Sequence, residues 1–255
     1  MHRGPGRLPA LAPAPAKLTL SLRVTGVRAD GYHLLEAEMV TVDLADELAL
    51  SEGDGLEVDG PAAAGVGTGP ENLVRRALAA VGRRARVRLT KRIPAGAGLG
   101  GGSADAAAVL RWARCHELAV ARVLGADVAF CLHGGRARVA GIGDDLVALD
   151  PRPAAYTLLI PPLAVATPAV YRRWDELGGP TGDHGNDLEP AALAVEPALA
   201  AWRDRLGEAT GCQPRLAGSG SSWFVDGAHP GGGRVVVRTV GPEVGAPPRP
   251  GAGAR

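Results

Sequence analysis

The sequence predicts an α+β protein of two domains, and three observations carry that expectation. Leu18, Leu20, Leu22 and Val24 alternate with Thr19, Ser21, Arg23 and Thr25, the period of a half-buried strand. Strand runs and helical stretches follow one another as separate blocks, the pattern of an α+β architecture. Pro151 and Pro153 interrupt that pattern where a boundary between domains would fall. The expected domains are therefore 14–150 and 151–240. The Pro- and Gly-rich stretches 1–13 and 241–255 are expected to be disordered tails.

Taken in order, structure is expected to start at Ala16 with the alternating strand. The stretch from Gly26 to Gly31 turns the chain, and residues 32–44 continue as a longer extended segment. Residues 47–51 and 56–58 are short strands around Gly53-Asp54-Gly55, and 60–69 form a glycine–alanine loop. A helix at 71–81 precedes a strand at 85–90. Helices follow at 103–116 and 118–124, the second stopped by Gly125. Strands at 136–140 and 146–149 close the first half. The second half opens with an apolar strand at 156–160. Thr167-Pro168 offers an N-cap hydroxyl and a first-turn proline, together a helix start. Helices at 187–194 and 197–210 precede strands at 215–216, 222–225 and 234–239.

The stretch from Pro94 to Ala108, P-A-G-A-G-L-G-G-G-S-A-D-A-A-A, organises the chemistry. Gly96, Gly98, Gly100, Gly101 and Gly102 are packed into seven positions. Glycine lets a backbone take positive φ and approach a ligand closely. A helix beginning at Ser103 would turn unpaired N–H groups and its positive end toward that loop. Together these features make an anion site, most economically one for phosphate. A flexible glycine linker is the bland alternative, but linkers seldom run straight into a strong helix former. Residues 96–101 also satisfy G-x-G-x-x-G, and Glu117 lies about 20 residues on, as a dinucleotide fold wants. A nicotinamide-dependent dehydrogenase is therefore one alternative. Against it, Lys91, Arg92 and Pro94 stand between the strand and the glycines. No G-K-[ST] follows, which excludes a Walker A loop.

Composition narrows the function classes. The 28 basic and 27 acidic residues nearly cancel, which argues against a nucleic-acid or polyanion partner. Cys115, Cys131 and Cys212 are odd in number and far apart. They form neither a disulfide framework nor a metal-ligand spacing, so buried free thiols in a reducing cytoplasm are expected. No apolar run approaches a membrane span, and the first residues lack the apolar segment of a signal peptide. His116, His133, His184 and His229 have no metal-ligand spacing and read as structural or surface. The loop 218–222 lacks G-x-S-x-G and is no nucleophile elbow.

Three further stretches stand in order around the glycine loop: Ala16-Lys17-Leu18-Thr19-Leu20, Asp30-Gly31-Tyr32-His33 and Leu124-Gly125-Ala126-Asp127-Val128. With them, from about Ala16 to Val225, the chain resembles the GHMP kinases, small-molecule kinases that hold ATP without a Walker lysine. Glu71-Asn72-Leu73, Asn186-Asp187 and 216–222 add weaker matches. The D-G-Y-H string points to the branch that phosphorylates the 2-hydroxyl of a diphosphocytidyl alcohol in non-mevalonate isoprenoid precursor synthesis. The resemblance implies an N-terminal domain of mixed sheet and helix that binds ATP, and a C-terminal α/β sandwich for substrate. It implies ATP and Mg²⁺ as cofactors and a small-molecule substrate. It implies no nucleic-acid or membrane partner, and a monomer or homodimer.

The same resemblance assigns roles. Asp127 accepts the proton of the attacking hydroxyl, with Lys17 beside it. The physics is coherent: a neighbouring ammonium favours carboxylate over carboxylic acid. A weak base suffices, because a loose phosphoryl transition state asks mainly for positioning and charge stabilisation. Pro94, Ala95, Gly96, Ala97, Gly98, Leu99, Gly100, Gly101, Gly102, Ser103 and Ala104 surround the phosphates, and Asn72 lies near the adenine. Read from the residue alone, Asn72 serves equally well as a helix-start side chain bonding backbone. Ser103 reaches a Mg²⁺ ion, caps the helix, or does both. Thr19, Tyr32, His33, Gly218 and Ser219 meet the substrate, Tyr32 by stacking on the cytosine.

The sequence departs from the family at three points. Thr19 stands where the family usually carries Asn, the connection from Ala108 to Asp127 is shorter by most of a helix, and 60–85 is trimmed. Another GHMP-type kinase and a catalytically degenerate nucleotide-binding homologue therefore stay open beside the leading reading.

Overall fold

The computed structural model describes residues 9–242. Strands β1 (Ala10–Val27) and β2 (His33–Ser51) form a long antiparallel hairpin. β1 begins well before the expected Ala16. Ala10 to Pro15 pair with Leu50 to Ala45, and Ala14 is fully buried, although alanine and proline carry no strand signal. Pro13 and Pro15 are tolerated because, among the described residues, β1 pairs with no strand but β2. β2 runs on past the expected end at Leu44 and takes in the strand expected at 47–51, because Ala45 to Leu50 stay paired with Pro15 to Ala10 of β1. The pairing slips between Pro15 and Lys17. A bulge of this kind re-aims the strand, and here the Lys17 N–H donates to Leu99 O at 3.1 Å.

β3 (Gly55–Asp59), α1 (Leu73–Ala80) and β4 (Arg86–Thr90) follow. α2 (Gly101–Trp112) is shorter than expected at its far end, where Arg114 takes φ 59° and stops it. α3 (Leu118–Leu124) ends at Gly125 as expected, and α4 (Ala126–His133), absent from the sequence expectation, begins directly after it. β5 (Arg136–Gly141) and β6 (Asp145–Ala148) complete the first sheet, of order β3-β4-β2-β5-β6 with β1 on β2. Only β3–β4 is parallel.

The later elements are β7 (Ala155–Leu159), α5 (Thr167–Glu176), α6 (Glu189–Val195), α7 (Leu199–Thr210), β8 (Arg215–Leu216), β9 (Trp223–Asp226) and β10 (Val235–Arg238). Their strands form an antiparallel sheet of order β10-β7-β9-β8. The N-cap of α5 is Ala166, not Thr167, whose hydroxyl instead meets Ser219 Oγ at 2.8 Å. Ala10 to Pro13, assigned to a disordered tail, instead lie in β1, and Gly241 and Pro242, assigned to the other tail, are described residues. A Cβ at Gly135 would meet Pro242 Cδ at 3.1 Å. The remaining tail residues, 1–8 and 243–255, lie outside the described residues.

Two apolar clusters hold the sheets together, and each draws on both. The larger joins Ala107, Leu110 and Phe130 to Val170, Leu188 and Trp223. The smaller joins Leu18, Val40, Ile93 and Leu99 to Leu158, Phe224 and Val237. The glycine loop rests on this second cluster, so its floor is made by both halves of the chain.

Candidate active site

The loop from Pro94 to Gly100 is fixed through its carbonyls. Gly96 O accepts from Ser221 N at 3.2 Å, Ala97 O from Ser222 N at 3.1 Å and Leu99 O from Lys17 N at 3.1 Å. Two glycines are required by conformation and by space. Gly98 has φ 76°, and a Cβ there would lie 2.2 Å from Ala217 O; Gly100 has φ 67°, and its Cβ would lie 2.7 Å from Lys17 Cγ. Gly100 is the N-cap of α2 and gives no side-chain cap. The first amides of α2 are left open, with the positive end of the helix behind them. That is the cradle an anionic phosphate needs.

Ser103 lies inside the first turn of α2, so the expectation that it caps the helix is corrected. Its hydroxyl bonds no protein atom among the described residues, and it borders the groove. The groove has a volume of about 880 Å³. Leu99 and Ala104 do not border it: both are buried in the core, and they serve the loop through backbone bonds, Ala104 N to Gly100 O at 2.9 Å. The other expected site residues all line it. Asn72 accepts from Val74 N at 2.9 Å and donates to Gly67 O at 2.7 Å. It is the N-cap of α1 while also facing the groove.

Lys17 and Asp127 meet at the floor. Lys17 Nζ is 3.4 Å from Asp127 Oδ2, with side-chain exposures of 7% and 33%. The lysine is the enclosed partner and the carboxylate the one open to the groove. Asp127 sits in the first turn of α4, where the helix dipole favours a negative charge. The short connection after Ala108 is spanned by α3 and still delivers Asp127 to Lys17. Lys17 Nζ also donates to Thr19 Oγ1 at 3.1 Å, and Thr19 is buried. A Cβ at Gly218 would lie 3.3 Å from Lys17 Nζ.

A second charged group beside the loop escaped the sequence reading. Lys91 Nζ, after β4, is bonded to Asp46 Oδ2 of β2 and, at 2.8 Å, to Asp105 Oδ2 of α2. All three are almost fully buried. Asp46 Oδ1 also accepts from Ile93 N at 2.9 Å, whereas Asp105 Oδ1 has no partner among the described residues. Burial pushes the Asp105 carboxyl up to about 7, with Lys91 opposing and Asp46 adding to the rise. The signal available was a lone charge within the apolar run Ala104-Asp105-Ala106-Ala107.

At the far end of the groove Tyr32 is 61% exposed on the hairpin tip, where Arg28 N donates to Tyr32 O at 2.8 Å. His33 is turned the other way. Its Nε2 lies 2.8 Å from Asp175 Oδ1, and its ring centroid lies 4.7 Å from that of Tyr171. Tyr171 and Asp175, one helical turn apart on α5, gave no sequence signal. Burial drives the Tyr171 hydroxyl pKa upward. Ser219 reaches the groove from the loop before β9, held by Thr167.

The fold also bears on the remaining expectations. The dinucleotide reading fails, because β4 lies antiparallel to β2 and ends at Thr90, short of the glycines. All three cysteines are free, but Cys115 and Cys212 are only half-buried. No cluster of metal-ligating side chains occurs among the described residues. No helix of the described residues is long and apolar enough to cross a membrane.

Residues 72–135 match the GHMP kinases N terminal domain. The chain is 42% identical to the 4-diphosphocytidyl-2-C-methyl-D-erythritol kinase of Ruegeria pomeroyi, over 83% of this chain and 86% of that one. It is 40% identical to the protein of the same name from Dinoroseobacter shibae, over 87% of each. A crystal structure of 4-(cytidine 5'-diphospho)-2C-methyl-D-erythritol kinase superposes with a TM-score of 0.72 at 33% identity, covering 91% of this chain and all of the other.

Proposed function

The chain belongs to the 4-diphosphocytidyl-2-C-methyl-D-erythritol kinases, a branch of the GHMP kinases, and from that premise we propose how its groove works. The reaction transfers a phosphoryl group from ATP to the 2-hydroxyl of 4-diphosphocytidyl-2-C-methyl-D-erythritol. Asp127 orients that hydroxyl and accepts its proton. Lys17 pairs with Asp127 and faces the charge that develops on the transferred group. The observation that carries this reading is the Lys17–Asp127 pair, 3.4 Å apart, beside an uncapped helix start.

The residues present fit a bound nucleotide. Open amides at Gly101, Gly102 and Ser103 bind the phosphates, and Asn72 faces the adenine. Mg²⁺, when bound, neutralises phosphate charge, and the Ser103 hydroxyl is the side chain that would hold it. Tyr32 stacks on the cytosine, and His33, Gly218 and Ser219 shape the pocket for the alcohol. Thr19 acts on the same side. Residues 14–150 form the ATP-binding and catalytic domain and 151–240 the substrate domain. The enzyme works in the cytoplasm as a monomer or homodimer.

The test is ADP release from purified protein with Mg-ATP and the diphosphocytidyl alcohol, beside the same alcohol lacking its cytidine. The parent uses the first and leaves the second. Asp127→Asn lowers turnover by about two or more orders of magnitude and keeps ATP affinity. Equal use of the two alcohols removes the cytidine assignment. Near-parental turnover in Asp127→Asn moves the proton acceptor elsewhere.

A further inference from the structure

Arg111, in the last turn of α2, is a cation buried without a counter-charge. It is 5% exposed, and among the described residues no carboxylate lies within ion-pair distance of it. Burial pushes its pKa below the ordinary arginine value. Among the described residues its Nε has no hydrogen-bond partner. Such a charge is expensive to keep out of water. Each Nη donates to one carbonyl: Nη1 to Cys131 O at 2.7 Å and Nη2 to Pro13 O at 3.2 Å.

Those two carbonyls lie on the two elements that carry the reacting side chains. Cys131 is one helical turn beyond Asp127 on the same face of α4. Its carbonyl is among the last four of that helix, which have no partner inside it, and a cation there also meets the negative end of the helix dipole. Pro13 stands on β1 shortly before the bulge that aims Lys17. Arg111 itself belongs to α2, whose opposite end is the glycine loop. One planar group thus ties together the supports of the phosphate loop, Lys17 and Asp127.

We propose that Arg111 is a positioning residue for phosphoryl transfer, which sets the spacing of Lys17 and Asp127 by clamping α4 and β1 to α2. The inference rests on the catalytic reading of Asp127. Its planar fork bonds two carbonyls at once, which a lysine ammonium on a flexible stem does not reproduce. A displacement of about 1 Å at a reacting group can cost about 10²-fold in rate.

The experiment compares Arg111→Met and Arg111→Lys with the parent, alone and in the Asp127→Asn background. Kinetics are run well below each variant's melting temperature. Arg111→Met is expected to lose about ten- to hundred-fold in kcat while KM for ATP stays within about two-fold. Arg111→Lys should fall between it and the parent. If Arg111 acts through Asp127, Arg111→Lys has little further effect once Asp127 is Asn, because residues acting as a unit are non-additive. A lowered melting temperature with parental kcat makes Arg111 a stabilising residue only and overturns the inference. So does an equal loss in both backgrounds. Should Arg111→Met fail to fold, Arg111→Lys and its cycle with Asp127→Asn decide. An active Asp127→Asn instead sinks the catalytic reading itself, a distinguishable result.

Discussion

At the floor of the groove Lys17 is enclosed by Thr19, by the backbone at Gly100 and by Gly218. At the rim Tyr32 stands 61% exposed on a hairpin tip. The tip's side-chain ion pair, Arg28 to Asp30 at 2.6 Å, is exposed. The floor is backbone packed on backbone over a core shared by both sheets. The rim is a side chain on a turn. Under the proposed function the difference separates two roles: the floor would set where charge is transferred and leaves little room for change, whereas the rim would set which alcohol is recognised and can change without disturbing the fold.

The comparison breaks first if the floor proves tolerant. In Gly98→Ala the new methyl would meet Ala217 O at 2.2 Å and Gly220 O at 2.8 Å, in a residue with φ 76°. Neither neighbour is a flexible side chain. Backbone strain of about 1–3 kcal/mol is expected from φ alone, with the clash in addition. The melting temperature should fall by at least about 5 °C and activity should be lost with it. Gly102→Ala is the control. Its Cβ would have 3.6 Å to Leu73 Cδ1 at an ordinary φ, and alanine favours a helix over glycine by about 1 kcal/mol. It should melt no lower than the parent and bind ATP more weakly, which thermal scans with and without ATP would read.

These glycines also show what the chain's letters can and cannot disclose. The run 96–102 was legible as a candidate phosphate loop because glycine at that density before an alanine-rich helix has few other uses. Lys17 and Asp127 were legible through the motifs around them. Asp46, Lys91 and Arg111 were not, because burial without a sequence neighbour leaves no local mark. Their partners lie 45, 14 and 20 residues away. The start of β1 was misplaced for a related reason: Ala10 to Pro15 has weak strand propensity, and its pairing with β2 overrides it. Thr167 was read as a helix cap from residue type, and Ser103 as a Mg²⁺ contact, a cap or both. In the fold neither caps its helix: the Thr167 hydroxyl meets Ser219, and Ser103 borders the groove.

At the rim the expected effect is smaller and confined to one substrate. Tyr32→Ala removes an exposed ring that packs on little, so the melting temperature should stay within about 2 °C of the parent. Stacking on a base is worth about 1–3 kcal/mol, so KM for the diphosphocytidyl alcohol should rise about ten-fold or more while KM for ATP holds. A large loss of stability would mean that the tip is part of the core architecture and that the contrast between rim and floor is false.

The finest test lies at Thr19, where floor and substrate side meet. The family resemblance makes position 19 a substrate contact, usually an Asn. In this chain the Thr19 hydroxyl accepts from Lys17 Nζ at 3.1 Å and is buried, so its first duty is to the lysine. A neutral acceptor for an ammonium is worth about 1.5–3 kcal/mol where water cannot replace it, but Lys17 keeps Asp127 as a second partner, so only part of that should be felt. Thr19→Val keeps the shape and removes the acceptor. A fall of about three- to ten-fold in kcat, with KM for the alcohol unchanged, is the expected result, and Thr19→Ser should restore most of it. A rise in KM at constant kcat would instead assign Thr19 to the substrate. Lys17 would then need only Asp127 to hold it, and the floor would be less enclosed than its geometry implies.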